Sequence, residues 1–131
     1  MMAGRISGCT TVIAVDIHDE RLELAKELGA TDVINSKNVD MVKAIQDLTD
    51  GHGVDYAVDT TGVSKVIQDA IKALAQGGAL APIAVTANHI DINTWDDLCP
   101  EDKTIVGVNM GGLDPTSRHP TLDQVLPVRD V

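Results

Sequence analysis

Aromatic residues are nearly absent from this chain of 131 residues, which has no Phe, one Tyr and one Trp. Apolar residues still make up 44% of the sequence, and this share excludes an intrinsically disordered composition. The core must therefore be built from Val, Ile, Leu and Ala, which suits a sheet covered by helices. By length alone, the chain is one domain that can bury a substantial core.

Cysteines and long apolar runs are also scarce. Cys9 and Cys99 form no CxxC motif and no Cys/His cluster, so the sequence predicts neither a disulfide framework nor a zinc site. Two free thiols favour a location of the protein in the reducing cytoplasm. No apolar run approaches the roughly 18 to 20 residues that span a membrane, and residues 1–8 lack the features of a secretory signal. We therefore expect no membrane partner.

Basic residues are half as numerous as acidic ones, 10 against 20, and the formal net charge is −10. A polyanion would be repelled unless a local basic patch existed, and the sequence contains none. Nucleic acid is therefore excluded as an expected partner, and the acidity is interpreted mainly as a source of solubility.

Short β-rich runs recur at intervals of roughly 21 to 25 residues, the length of one strand plus one helix. They are TVIAV (11–15), DVI (32–34), VDYAV (54–58), ALAPIAV (79–85) and TIVGV (104–108). Strand and helix alternating at this spacing predict a doubly wound α/β fold, with a parallel sheet and helices on both faces. Pro82 cannot donate to a sheet ladder, so we expect its strand to be short or bulged there.

The first three intervals contain amphipathic helix patterns, predicted with Asp19 and Ser64 as N-caps and with Gly29 and Gly51 as stop signals. The fourth interval is irregular, with at most a short helix over 94–99.

Asp16 follows the first apolar run directly and is the sharpest functional candidate. In dinucleotide-binding folds, an acidic residue at the end of the second strand accepts hydrogen bonds from the adenosine ribose. A carboxylate suits a vicinal diol because it offers two strong acceptors, and it repels the 2′-phosphate of NADP. The alternative, that Asp16 merely caps a loop, remains open at this point.

A glycine-rich phosphate loop should begin roughly 20 residues before such an acid, which places it before Met1. Residues 1–8 are then interpreted as the end of the helix that follows the loop. We expect the sequence to contain the second half of a cofactor site.

The segments AGRISGCTTVIAVDIHDERLELAKELGATDVINSK and GVDYAVDTTG resemble the coenzyme domain of medium-chain, zinc-dependent alcohol dehydrogenases, especially the aryl- or benzyl-alcohol branch. The resemblance implies a Rossmann-like fold that lacks the first strand and the glycine-rich loop. It implies a partial NAD-binding domain over residues 1–112. Residues 113–131 depart from the family pattern and, having three prolines and no clear periodicity, are predicted to form an irregular tail. With the first strand absent, we expect the runs at 11–15 and 54–58 to pair directly, or the position to be filled by the tail or a neighbouring chain.

The resemblance also implies which residues contact NAD. Asp16 matches the acid that binds the ribose, Ile17 lies against adenine, and Arg21 reaches the same ribose. Judged without the resemblance, an arginine at position 21 is more often an ordinary solvated charge on a helix.

Toward the nicotinamide, the resemblance places Thr60 and Thr61 beside the cofactor and assigns the carboxamide to backbone groups of Ile83, Val85 and Met110. Judged alone, the two threonines could simply complete a turn, and the apolar residues would suit any core.

The implied parent protein is an NAD- and zinc-dependent dehydrogenase that oxidises a primary alcohol, aromatic alcohols included, to an aldehyde. Its zinc ligands belong to a separate domain and have no match here, so we predict no metal ligands and no dehydrogenase activity for this chain alone. The resemblance also implies a homo-oligomer formed through the last strand. The alternative is a non-catalytic module, NAD-responsive or protein-binding, on a Rossmann-like scaffold.

Overall fold

The computed structural model describes residues 1–85 and 89–108, and the strands and helices follow one another in the predicted order. The helices are α1 (Met2–Ile6), α2 (Asp19–Glu27), α3 (Met41–Leu48) and α4 (Ser64–Ala73). The strands are β1 (Ile13–Asp16), β2 (Asp32–Asn35), β3 (Val54–Asp59), β4 (Leu74–Pro82) and β5 (Thr104–Ile105). The predicted short helix near 94–99 is a π-helical turn (Thr94–Leu98) followed by a 3₁₀ turn (Cys99–Glu101).

The described strands form two parallel sheets, in which β1 pairs with β2 and the order of the other three is β3-β4-β5. The predicted parallel α/β class is therefore confirmed. Pairing of the run at 11–15 with the run at 54–58, or filling of the position between them by the tail or a neighbouring chain, stays a prediction.

The chain groups into two compact units, and the first contains residues 1–37. Here α2 packs on β1 and β2, and it buries Leu22 while the strands bury Ala14 and Ile34. Gly29 follows the helix with φ of +105°, a left-handed conformation that ends helices and that glycine adopts without strain. Local sequence therefore fixes how the chain returns from the helix to β2.

The second unit contains residues 38–108, and its core lies where α4 packs on β3 and β4. Ile67, Ile71, Leu74 and Leu80 are almost completely buried together. The core is aliphatic, as predicted: Tyr56 is 78% exposed and Trp95 73% exposed, so neither aromatic side chain contributes to it.

Two predicted helix caps are wrong. Asp19 and Ser64 are the first residues of their helices, and the N-cap positions fall on His18 and Val63. Both predicted capping side chains have other partners: the Asp19 carboxylate accepts a hydrogen bond from Asn35, and the Ser64 hydroxyl donates to the carbonyl of His89.

The last two strands differ from the predicted spans. β4 begins at Leu74, directly after α4, and ends at Pro82 instead of Val85. Its ladder with β3 is irregular between Val54 and Tyr56, away from the proline, because Gly77 takes a φ of +72° there. β5 covers two residues instead of five, although the Val106 N–H still donates to the carbonyl of Leu80 on β4.

Within the described ranges, every helix is too short or too polar to cross a lipid bilayer.

Leu80 provides a test of the second core, because its side chain is fully buried. We predict that Leu80→Ala lowers the free energy of unfolding by about 2 to 5 kcal/mol, through lost burial and the cavity that remains. The matched control is Val58→Ala on the neighbouring strand, where an exposed side chain should cost about 0.5 kcal/mol or less. Urea titration of both variants measures the difference, and equal losses would contradict this core assignment.

Candidate functional site

Asp16 is the last residue of β1 and pairs in register with Asn35, the last residue of β2. Both side chains therefore lie at the carboxyl end of a parallel sheet, the end at which open α/β sheets bind their ligands. The Asp16 side chain is 27% exposed, so water or a ligand can reach it.

Backbone amides hold one oxygen of the Asp16 carboxylate. Oδ1 accepts hydrogen bonds from the N–H groups of Ile17 at 2.7 Å and of His18 at 2.9 Å. Oδ2 lies 3.6 Å from Arg21 Nη1, beyond hydrogen-bonding distance, and it accepts no hydrogen bond from any residue the structure describes. The first oxygen fixes the orientation of the group, and the second is left for another donor.

The same contacts keep Asp16 ionised. Partial desolvation raises the pKa of Asp16, but the amide hydrogen bonds from His18 and Ile17 outweigh it, and the positive charge of Arg21 adds to their effect. The resulting pKa lies below the usual range of an aspartate, so the side chain carries its negative charge at neutral pH.

Ile17 and Arg21 lie beside Asp16, as the sequence predicts. Ile17 is 54% exposed although it is apolar, and the Arg21 side chain is 70% exposed. Both line an open surface depression of about 430 Å³, formed by residues 17–21 at the start of α2. An exposed isoleucine and an arginine thus line one depression, and the arginine lies 3.6 Å from the Asp16 carboxylate.

Asn35 was not predicted as part of this region. Its amide Nδ2 donates to Asp19 Oδ1 at 2.5 Å, which ties the end of β2 to the first residue of α2. Its position in the sequence could have identified it, because Asn35 directly follows the apolar run DVI as Asp16 directly follows TVIAV.

A second group of predicted residues lies in the other unit, at the carboxyl ends of β3 and β4. Thr60 and Thr61 follow β3 and are exposed. Ile83 and Val85 follow β4 and are also exposed, Ile83 being tied to β3 by a hydrogen bond from its N–H to the carbonyl of Asp59. Met110 lies outside the described residues.

Asp59 is the residue that the sequence-based prediction missed in this group. It is 4% exposed, and its carboxylate accepts hydrogen bonds from the backbone of Thr61 and Gly62 and from the Thr61 hydroxyl. The motif DTTG contained the signal, because an acid between an apolar strand and a Thr-Gly turn has backbone N–H groups within reach.

No three His, Cys, Asp or Glu side chains approach closely enough to hold a metal ion within residues 1–85 and 89–108. The described residues therefore do not fit a zinc ion.

The lowered pKa of Asp16 predicts how its contribution to stability depends on pH. A carboxylate whose pKa is lower in the folded state than in the unfolded state stabilises the folded protein fully when the pH is above its unfolded pKa of about 3.9. This contribution is lost as the pH falls through the folded-state pKa. Asp16→Asn should therefore lower the free energy of unfolding most at neutral pH, with the deficit shrinking below about pH 4.

Urea titrations of both proteins across this pH range provide the measurement. Asp32→Asn, at the other end of the paired strands, removes the same charge but leaves the Asp16 hydrogen bonds intact. A deficit that stays constant with pH in Asp16→Asn would contradict the assignment.

Comparison with known proteins identifies the family. The family model described as zinc-binding dehydrogenase matches residues 1–127. An alcohol dehydrogenase of Cupriavidus necator is 36% identical over 88 residues, which is 67% of this chain and 24% of the relative.

Two solved structures extend the likeness to the fold. Benzyl alcohol dehydrogenase from Acinetobacter calcoaceticus matches with a TM-score of 0.84 and 38% identity, over 95% of this chain and 34% of that one. The alcohol dehydrogenase zinc-binding domain protein from Burkholderia ambifaria matches with a TM-score of 0.79 and 44% identity, over 84% of this chain and 30% of that one. These likenesses confirm the predicted Rossmann-like fold. The chain thus spans about a quarter to a third of these proteins, and by its match over residues 1–127 it belongs to the zinc-binding dehydrogenase family.

Proposed function

We propose that the chain is part of the NAD-binding domain of a zinc-dependent alcohol dehydrogenase. The parent activity is oxidation of a small primary alcohol, aromatic alcohols included, to an aldehyde with transfer of a hydride to NAD. Support comes from family membership and from relatives that are themselves named alcohol and benzyl alcohol dehydrogenases. Those names favour an enzyme over the alternative of a non-catalytic module on the same scaffold.

The observation that carries the proposal is the state of the Asp16 carboxylate. It is ionised, oriented by two amides through Oδ1, and has Oδ2 available at the carboxyl end of a parallel sheet. A ribose diol needs such an acceptor, and a charge-assisted hydrogen bond is roughly twice as strong as a neutral one. Asp16 therefore binds the adenosine ribose in this account.

Ile17 and Arg21 complete the adenosine contacts. The exposed Ile17 side chain provides an apolar surface for the adenine ring. Arg21, held near Asp16 by opposite charge, donates to the ribose oxygens. Because the Asp16 charge offsets that of Arg21 and repels a 2′-phosphate, we assign NAD and not NADP as the cofactor.

Thr60, Thr61, Ile83 and Val85 bind the nicotinamide half through hydroxyl and backbone groups. Their position at the ends of β3 and β4 supports this role, and Met110 is included on the resemblance alone. NAD supplies the hydride acceptor when bound, and the residues of this chain bind and orient it. Because the described residues do not fit zinc, we place the zinc ligands in the remainder of the parent enzyme.

The chain is assigned to the cytoplasm, since Cys9 and Cys99 are both free and exposed and would persist best in a reducing compartment.

The cofactor assignment predicts a change of preference when the Asp16 charge is removed. Wild-type chain should bind AMP weakly, in about the millimolar range, and 2′,5′-ADP more weakly still, because Asp16 repels the added phosphate. In Asp16→Asn, AMP affinity should fall by about tenfold, and 2′,5′-ADP should become the better ligand because Arg21 is no longer neutralised. Chemical-shift titrations by NMR measure both affinities.

Glu27→Gln is the matched control for this test. It removes one negative charge from an exposed position of α2 that does not line the depression, so the preference for AMP should persist. Loss of AMP preference in the control, or its retention in Asp16→Asn, would contradict the ribose role.

We also propose that the chain forms a homo-oligomer through the edge of β5. The strand pairs only with β4 among the described strands, and an open strand edge can pair with a second copy. Light scattering should give at least twice the mass of one chain, with β5 amides protected from hydrogen exchange. The mass of a single chain at all concentrations would contradict this arrangement.

A further inference from the structure

Asp59 is a buried charged residue, with 4% of its surface exposed. Placing a carboxylate away from water is costly unless hydrogen bonds satisfy its oxygens. Here all the donors come from the loop that follows β3. Thr61 donates to Oδ1 through its N–H at 3.1 Å and its hydroxyl at 2.7 Å, and the Gly62 N–H donates to Oδ2 at 3.0 Å.

These hydrogen bonds fix the loop in one conformation. Gly62 has a φ of +67°, in the left-handed region that glycine tolerates best. The Thr61 hydroxyl also accepts from the Val63 N–H at 3.1 Å, so the network extends to the N-cap of α4. The buried carboxylate thus connects the strand, the loop and the start of the next helix.

The main chain of Asp59 makes a further connection. Its carbonyl accepts a hydrogen bond from the Ile83 N–H at 2.9 Å, where the chain leaves β4. One residue therefore holds both segments that carry the proposed nicotinamide contacts, through its carboxylate on one side and its carbonyl on the other.

We propose that Asp59 is a positioning residue that sets the conformation of the Thr60–Gly62 loop for binding the nicotinamide half of NAD. The inference rests on the proposed function, because it requires that this loop meets the cofactor. Asp59 does not touch the cofactor itself; it acts by holding Thr61 and Gly62 in place. Replacing the carboxylate by an amide keeps its shape but turns one end into a donor that faces an N–H group.

Asp59→Asn and the matched control Asp55→Asn test this role. Asp55 lies on the same strand, and its side chain is exposed, so the control makes the same chemical change without touching the loop. Amide hydrogen exchange is measured first, without ligand. Asp59→Asn should speed exchange at Thr61 and Gly62 by about tenfold or more, and Asp55→Asn should leave both unchanged.

The second readout separates positioning from general stability. Nicotinamide mononucleotide probes the loop, and AMP probes the Asp16 region. Asp59→Asn should lower the affinity for nicotinamide mononucleotide by about tenfold and change that for AMP by less than about twofold, whereas a globally unfolded variant would lose both. If Asp59→Asn fails to fold, Thr61→Val and Thr61→Ser replace it in the exchange measurement: the valine lacks the hydroxyl that donates to Asp59 and should speed amide exchange at Gly62, and the serine should leave it unchanged.

The outcomes distinguish this inference from the proposed function. Unchanged exchange at Thr61 and Gly62, or unchanged binding of nicotinamide mononucleotide in the variants, overturns the positioning role while AMP binding can persist. Wild-type chain that binds neither AMP nor nicotinamide mononucleotide overturns the proposed function, and the positioning role falls with it.

Discussion

Recognition of the ribose depends on the pair of hydrogen bonds that the amides of Ile17 and His18 donate to one oxygen of Asp16. They hold the carboxylate at the end of β1, keep its pKa low, and leave Oδ2 without a hydrogen-bond donor among the described residues. A freely rotating aspartate could satisfy both oxygens with water or with Arg21. The fixed carboxylate instead offers one acceptor in a defined place, as recognition of a ribose requires.

Asp16 and Asp59 show how one residue type takes two roles at the ends of parallel strands. Asp16 is partly exposed and retains an available acceptor, which makes it suitable for binding. Asp59 is buried and uses both oxygens on its own loop, so it has nothing to offer a ligand directly. The difference comes from the residues that follow, because DIHD continues directly into a helix whereas DTTG forms a turn around the carboxylate.

Much of the fold was predictable from the sequence because helix and strand periodicities are local. Apolar spacing predicts the helices that begin at Asp19, Met41 and Ser64 and the five strands found within the described residues. The cap predictions were wrong because the side chains of Asp19 and Ser64 form hydrogen bonds with Asn35 and His89, which are distant from them in the sequence. β4 begins before the predicted strand because the residues AQGG (75–78) belong to the strand but pair irregularly with β3, which the composition did not suggest.

The candidate site was only partly predictable for the same reason. Asp16 was identifiable because its position directly after an apolar run determines which end of the sheet it occupies. The role of Asp59 depends on burial and on three loop contacts, and the availability of Asp16 Oδ2 depends on the 3.6 Å separation from Arg21. Neither the burial and loop contacts of Asp59 nor the separation of Asp16 from Arg21 can be read from the spacing of residues along the chain.

The most direct test of the central claim is the structure of this chain with AMP bound. The account predicts a ribose hydroxyl within about 2.6 to 3.2 Å of Asp16 Oδ2, with the amide hydrogen bonds to Oδ1 retained. AMP bound elsewhere on the chain, or bound beside Ile17 with its ribose turned away from the carboxylate, would contradict it.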